Sequence, residues 1–431
     1  MLSTWPAAMF QYTLMIAQDL IPGDATGPHM AMAISALVTG ELDVELLDAA
    51  YDDLVASNEV LRSDLVKDGD GWVQRVHPHR GAHLDVRSGD AALATELAAV
   101  WAGTPVPVDE PPLVRGQVVR LDDGSHLVNL IIHHVHTDPS SLGLAMAELG
   151  RLYTARLSGV DGPPPPVRFG EYVAERIESV RGRLDADREY WRHHLAGARP
   201  IPLAPGLTRD WSTPPRTQAM RLPLLDAPGA AALERWALRH RTTLFATLFT
   251  GFCLAMADRG LTRDILAVTA FEQRDRPEVR EMIGQFIHPA LLRVVIPPDA
   301  DWPSLTPTVR DVVREAYDRA HFPAIDVLSL HQDVLAAVAT EPAGICMFQY
   351  IAADPAGTEI AFGPARGRVL SSTEVGPTGD VGLMFRLHRR PGGDLEAMVT
   401  FDQRDLREDL VRELYDGFAG RVAQVATAAV R

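Results

Sequence analysis

The sequence predicts an α/β (α+β) protein built as two lobes. Three observations carry that expectation. At 431 residues the chain is about twice the length of a usual domain. Short β-branched apolar runs and longer stretches of helical periodicity follow one another along most of it. A proline run at Pro163–Pro166 breaks that order and reads as a semi-rigid linker. It sets the expected boundary, with an N-terminal lobe over 1–166 and a C-terminal lobe over 167–431.

In the first lobe, residues 1–30 mix apolar and turn residues and carry no readable motif. Met30–Val38 reads as a strand. Gly40 to Asp43 then leads into a helix over Val44–Asn58, with Leu46, Leu47, Ala50, Leu54 and Val55 on one stripe. Gly71–Val76 and Leu113–Leu121 read as strands. Asp122-Asp123-Gly124-Ser125 is a hairpin turn, since Asp-Gly supplies the positive φ such turns need. Leu127–Ile132 is too short and too β-branched for a helix and reads as a buried strand. Asp138 is placed as an N-cap and Pro139 as the first helical residue. Leu142, Met146, Leu149 and Leu157 continue that helix, and Gly159 closes it.

In the second lobe, Phe169–Gly197 reads as one long charged helix. It carries His193 and His194, which are expected to be solvated. Thr243–Met256 is apolar nearly all round, hence a buried helix. Ile265–Ala270 is a strand.

The loop between the buried strand and the helix at Pro139 holds His133, His134, His136 and Asp138. Loops held between rigid elements are where reactive side chains are often placed. If the strand runs on through them, His133 and His134 point to opposite faces and do different jobs. A plain alternative makes one a satisfied buried histidine and the other a surface residue. Asp138 has its own plain role as a cap, worth about 1 kcal/mol. All four residues are metal-ligand types. However, no cysteine lies near, and no second ligand cluster has helical spacing.

Composition excludes some classes. With 46% hydrophobic and 23% charged residues the chain is an ordinary globular protein. A net charge of −16 argues against nucleic-acid binding. Lys67 is the single lysine, which reflects coding composition rather than mechanism. Cys253 and Cys346 lie in apolar runs and read as buried free thiols of a reducing cytoplasm. No apolar run reaches the roughly 18 residues of a membrane span. The N-terminus lacks the basic region of a signal peptide. The expectation is a cytoplasmic protein with neither membrane nor nucleic acid as partner.

The pattern His133-His134-Val135-His136-Thr137-Asp138 after a buried strand resembles the HHxxxDG motif of the condensation domains of nonribosomal peptide synthetases. These belong to the chloramphenicol-acetyltransferase-like superfamily. Pro139 stands where the motif has glycine. The start of the chain is similar to the family's strand, G-x-L-D, helix and RHExLRTxF order. Ser57 and Asn58 replace the Arg-His pair, Arg62 is kept, and Leu65 replaces the Phe. Tyr190-Trp191 to Gly197 resembles YWxxxLAG. Phe271–Arg293 resembles NRxRPExxxxIGxFxNxLxLR through Arg274, Arg276, Pro277, Glu278, Ile283, Gly284, Phe286 and Arg293, with His288 in place of Asn. Leu328–Val334, Met347–Tyr350, Gly379–Leu383 and Val399–Phe418 follow the family's later order. The match is thin only in the first few residues and over 80–110.

The resemblance implies two chloramphenicol-acetyltransferase-like lobes in a V shape, each a mixed sheet flanked by helices, with an active-site tunnel between them. A floor loop at about 270–293 and a crossover strand at about 370–386 would come from the second lobe. It assigns His134 as the catalytic residue facing the tunnel, with His133 and Asp138 completing the motif as structural members. Asp138 would pair with Arg274 from the second lobe and clamp the lobes. His136, Pro139, Ser140, His288 and Gln349 are candidates to line the tunnel or touch substrate.

The implied activity joins an amine or hydroxyl nucleophile to an acyl thioester on a carrier protein, in natural-product (antibiotic-type) biosynthesis. Phosphopantetheine would be carried by partner acyl or peptidyl carrier proteins acting in trans, with no directly bound cofactor or metal. The acceptor would be a small molecule or itself carrier-bound. Without a carrier or adenylation segment, a stand-alone enzyme is expected. Proline has no N–H to offer an oxyanion where the family's glycine has one. The N-terminal N–H groups of the helix, at Ser140 and Ser141, are expected to replace it. Three alternatives remain: a coenzyme A-dependent acyltransferase of the same superfamily, an epimerase, and an inactive recruitment module favoured by Pro139 and His288.

Overall fold

The computed structural model describes residues 3–20, 30–69, 71–90, 92, 96–97, 100, 106–160, 168–204, 208, 216–341, 346–352, 355–373 and 382–430. The expected linker at Pro163–Pro166 and the Gly379–Val381 part of the expected crossover lie outside them. The chain divides into two compact units, the first made of 1–182, 272–287 and 355–376, and the second of 183–271, 288–354 and 377–431.

Followed along the chain, unit 1 opens with β1 (Ser3–Pro6), α1 (Met9–Leu20), β2 (Ala31–Thr39), α2 (Val44–Ser57), β3 (Ser63–Asp68) and β4 (Gly71–Val76). It continues through β5 (Asp85–Gly89), β6 (Val114–Leu121), β7 (His126–His133), α3 (Pro139–Leu157) and α4 (Phe169–Val180). Unit 2 takes over with α5 (Leu184–His194), β8 (Thr217–Leu225), α6 (Ala227–Arg239), α7 (Leu244–Asp258) and β9 (Asp264–Glu272). Then come β10 (Ile287–Val295), α8 (Trp302–Asp318), α9 (Ala324–Ser329), α10 (Gln332–Thr340) and β11 (Cys346–Ile351). The chain returns to unit 1 for β12 (Glu359–Phe362) and β13 (Ala365–Thr373), and ends in unit 2 with β14 (Leu383–Arg389), β15 (Leu395–Asp402) and α11 (Glu408–Val430).

The main sheet of unit 1 has the order β12-β13-β2-β7-β6-β5, beside a three-stranded sheet β1-β4-β3. β2 and β7 are antiparallel, with Ala31 opposite His133 and Ile34 opposite Leu130. β5 runs parallel to β6. Strand β7 is buried on both faces. Leu130 and Ile132 pack with Leu47 and Leu54 of α2 and Leu142 and Met146 of α3. Ile131 packs with Met15 of α1, Leu65 of β3 and Val135. Burial on both faces is why the sequence here is an unbroken apolar run rather than an alternation.

In unit 2 the sheet order is β10-β9-β11-β14-β15-β8, and it is mixed: β11 runs parallel to both β9 and β14, while β14 and β15 are antiparallel. Its core is aromatic. The Phe348 ring lies 5.1 Å from Phe252 and 5.3 Å from Phe249, and Phe418 of α11 meets it edge-on at 5.9 Å. Cys253 and Cys346 are buried free thiols, pushed up by burial. Among the described residues no helix is long and apolar enough to cross a membrane.

Three expectations need correction. The division falls at Gly182, not at 166, so α4 belongs to unit 1. The expected single helix over 169–197 is two helices joined by a 3-10 turn at Arg181–Arg183. Gly182 sits in that turn, where a residue poor at propagating a helix costs about 1 kcal/mol less than inside one. The third correction concerns ownership of the later segments. β13 pairs with β2 over Arg366↔Thr39 to Thr373↔Ala33 and so completes the unit 1 sheet rather than the second lobe's.

Candidate functional site

The site grows from the end of β7. The strand stops at His133, whose side chain is only 1% exposed. Val135 N–H donates to His133 Nδ1 at 3.0 Å, which puts the ring proton on Nε2. The backbone then turns, with His136 N–H bonded to the His133 carbonyl at 2.9 Å. The half-buried ring of His134 does the reverse. Its Nδ1–H donates to the Thr137 carbonyl at 2.9 Å, so a neutral ring carries its lone pair on Nε2. The Phe10 ring of α1 lies 5.1 Å away, tilted against it.

Asp138 ends the loop as the N-cap of α3 and is fully buried. Its Oδ1 accepts from Ser141 N–H at 2.7 Å and its Oδ2 from Phe286 N–H at 2.8 Å. Arg274 Nη2 stands 3.3 Å from Oδ1, and the Arg274 side chain is 10% exposed. The guanidinium spends all its donors inside unit 1. Nη1 reaches the Val279 and Met282 carbonyls, both at 2.7 Å, and Nη2 also reaches Ser141 Oγ at 2.6 Å. Nε holds Glu272, and the group lies 4.0 Å over the Phe286 ring. A charged pair this dry is stable only with such complete pairing. The Asp138–Arg274 pair therefore forms, but the expected origin of Arg274 in the second lobe is corrected: residues 272–287 pack as part of unit 1. Gly284 allows that packing, since a β-carbon there would meet the Phe169 ring at 2.3 Å.

His136 is corrected from a tunnel or substrate candidate to a structural one. Its ring is fully buried, with Nδ1 accepting from Gln11 Nε2 at 3.0 Å and Nε2 donating to the Ser63 carbonyl at 2.9 Å. Burial holds this ring down at about 4, so it stays neutral. Pro139 is the first residue of α3, as expected, and Ser140 is exposed beside it. Ser140 Oγ donates to Glu272 Oε2 at 2.9 Å. Burial and the charge of Asp138 push the Glu272 carboxyl up, against the pull of Arg274. One expected oxyanion donor is corrected too: Ser141 N–H is spent on Asp138, which leaves that of Ser140.

The structure thus brings His133, His134, His136, Asp138, Pro139, Ser140 and Arg274 into unit 1. His288, on β10, and Gln349, on β11, belong to unit 2, where Gln349 Oε1 accepts from Arg386 at 3.2 Å. Sequence reasoning missed Gln11, Glu272 and Gln285, and the hydroxyl of Ser141, which accepts from Arg274 and Gly284 N–H. Gln285 Nε2 donates to the His134 carbonyl at 2.7 Å and to the Thr137 carbonyl at 2.9 Å. It occupies an x position of the resembled motif, so the motif gave no signal there. Gln11 lies in the stretch that had no readable pattern.

Comparison with known proteins fits this geometry. The condensation domain family model matches residues 23–334, and the chain belongs to that family. It is 26% identical to cyclosporin synthetase simA of Tolypocladium inflatum over 71% of this chain, and 27% identical to phosphinothricin tripeptide synthetase PhsB of Streptomyces viridochromogenes over 74% of it. The matches take 2% and 28% of those synthetases, so the chain spans a minor part of the relatives' length. Among solved structures, SgcC5 from Streptomyces globisporus superposes with a TM-score of 0.82 at 23% identity, covering 98% of both chains. The first condensation domain of the calcium-dependent antibiotic synthetase superposes at 0.75 and 20% identity, covering 100% of this chain and 97% of that one. Two mixed sheets flanked by helices are the shared fold.

Proposed function

We propose that this protein is an active condensation enzyme that joins an amine or hydroxyl to an acyl thioester. His134 Nε2 takes the proton of the nucleophile as its nitrogen or oxygen bonds to the thioester carbonyl. The carbon–sulfur bond then breaks, and the proton passes to the departing thiolate. General-base help of this kind contributes roughly 10²–10⁴-fold. The acyl group arrives on the phosphopantetheine thiol of a carrier protein, and the product is an amide or ester of the natural-product type. We place the reaction in the cytoplasm, in keeping with the two buried free thiols.

The observation that carries this reading is the bond from His134 Nδ1–H to the Thr137 carbonyl, which assigns the basic lone pair to Nε2. Asp138 and Arg274 support it from behind by fixing the loop and the start of α3. Pro139 favours the inactive recruitment reading, because it lacks the motif's N–H. Against that reading, a recruitment module has no need of a ring held in this tautomer. The test is mass spectrometry of products from a panel of acyl-loaded carrier proteins with amine and hydroxyl acceptors. Acyl transfer that disappears in His134→Ala is expected. Transfer from acyl-coenzyme A alone would favour the coenzyme A-dependent alternative, and equal transfer by His134→Ala would overturn the role of His134.

A further inference from the structure

The loop from His133 to Asp138 carries carbonyls that mostly lie outside strand and helix ladders, and their described partners come from several places. The His133 carbonyl takes His136 N–H, and the Asp138 carbonyl takes Leu142 N–H as α3 begins. Gln11 Nε2 of α1 donates to the Val135 carbonyl at 3.0 Å. The carbonyls of His134 and Thr137 both go to one side chain, Gln285, which is 2% exposed. Its Oε1 accepts from Ile287 N–H at 2.9 Å. Only one orientation of the amide satisfies all three partners, so Nε2 faces the loop and Oε1 faces away.

That places Gln285 at the hinge of the reactive imidazole. The Thr137 carbonyl receives two protons, one from His134 Nδ1–H and one from Gln285. Gln285 Nε2 itself lies 3.4 Å from His134 Nδ1. Since Gln285 can only donate from that nitrogen, it holds the Thr137 carbonyl where the carbonyl accepts from the ring. We propose that Gln285 is a positioning residue: it splints the His134–Thr137 turn so that the imidazole keeps its proton on Nδ1 and presents Nε2 to the reacting groups. This rests on the catalytic reading of His134 and adds to it the device that sets the ring's tautomer and direction. The other groups fixing this turn, Gln11, Asp138 and Arg274, hold its backbone or its end, and of these only Gln285 shares an acceptor with the ring.

Two variants test this, each read by rate and by nitrogen-15 NMR of the His134 ring. Gln285→Met keeps the length and removes every polar atom. Expected is a fall in kcat of roughly 10–100-fold, the scale of a misplaced reacting group, with KM for the loaded carrier unchanged. The single Nδ1–H ring signature becomes a mixture of tautomers. Gln285→Glu keeps the shape but turns an acceptor toward the His134 and Thr137 carbonyls, which themselves can only accept, so the splint is lost there too and the carbonyls are pushed away. Its kcat is expected to fall at least as far as that of Gln285→Met, with the ring signature changed from the parent's. A wild-type kcat together with an unchanged tautomer in Gln285→Met would overturn the proposal. So would a kcat loss in both variants with the ring signature unchanged in both, since that marks a general packing defect. The ring signature is read without turnover. A wild-type rate in His134→Ala would therefore sink the catalytic reading while the positioning result still stands or falls on NMR.

Discussion

The chain contains two histidine pairs, and they are opposites. His133 and His134 close a buried strand, and each ring is fixed by a backbone group: Val135 N–H sets one tautomer and the Thr137 carbonyl sets the other. His193 and His194 lie on helix α5 of unit 2. His193 is exposed and turns back on its own helix, to the Glu189 carbonyl and carboxylate. His194 was expected to be solvated and is instead half-buried, stacked on Tyr190 at 5.2 Å between near-parallel rings. Its burial, aided by Arg293 and Arg319, brings the ring down to about 4. The comparison teaches that the residue type does not make a base. What counts is which nitrogen the fold consumes and whether the other keeps its lone pair.

The sharpest way to break this comparison is to delete the rings one at a time. His134→Ala is expected to lower acyl-transfer turnover by roughly 10²–10⁴-fold, while His193→Ala leaves it at the wild-type value. Steady-state rates of the two variants with one loaded carrier settle the matter, and equal losses would show that the pairs are not functionally distinct.

Next in size is the support behind the loop. Asp138→Ala strips Ser141 N–H, Phe286 N–H and Arg274 of one shared partner. Leaving the Arg274 charge buried without it is expected to cost roughly 3–5 kcal/mol of stability. Chemical denaturation reads that loss directly, and a variant as stable as the parent would mean that the pair contributes little. Neither half of the helical pair has an equivalent: His193 pairs only at the surface, where an ion pair is worth about 0–1 kcal/mol.

Acid sensitivity comes third. His136 beside the strand-end pair and His194 in the helical pair are both held near 4, below the ordinary histidine value of 6.5. In the folded protein they stay neutral where the unfolded chain would be protonated. Unfolding therefore takes up protons between pH 6.5 and 4, and stability is lost as the pH falls through that window. The melting temperature should decline over this range. His194→Phe, which keeps a ring on Tyr190, should flatten the decline, and an unchanged slope would place His194 in solvent after all.

The smallest effect is at Pro139. Pro139→Gly adds an N–H at the first position of α3 without touching the Asp138 cap. Turnover is expected to equal or slightly exceed the parent, with up to about 1 kcal/mol of stability lost to a more flexible unfolded chain. Slower turnover at unchanged melting temperature would instead show that the proline holds His134 in place.

Local structure was legible because its causes are local. The span of β7, the Asp138 cap, the Pro139 start and the buried helix α7 all follow from periodicity and caps within a few residues. The motif residues could be picked out by their resemblance to a family. The sequence by itself thus determined these elements and their order, and it singled out His133, His134, Asp138 and Arg274, of which the last two form an ion pair. Tertiary structure alone decided which unit owns Arg274 and β13, because those ties join residues more than a hundred positions apart. It also decided that His136 is walled in by Gln11 and Ser63, and that Gln285 holds the turn at His134. A buried carbonyl must find a donor, but the sequence does not say which distant amide the fold will bring to it.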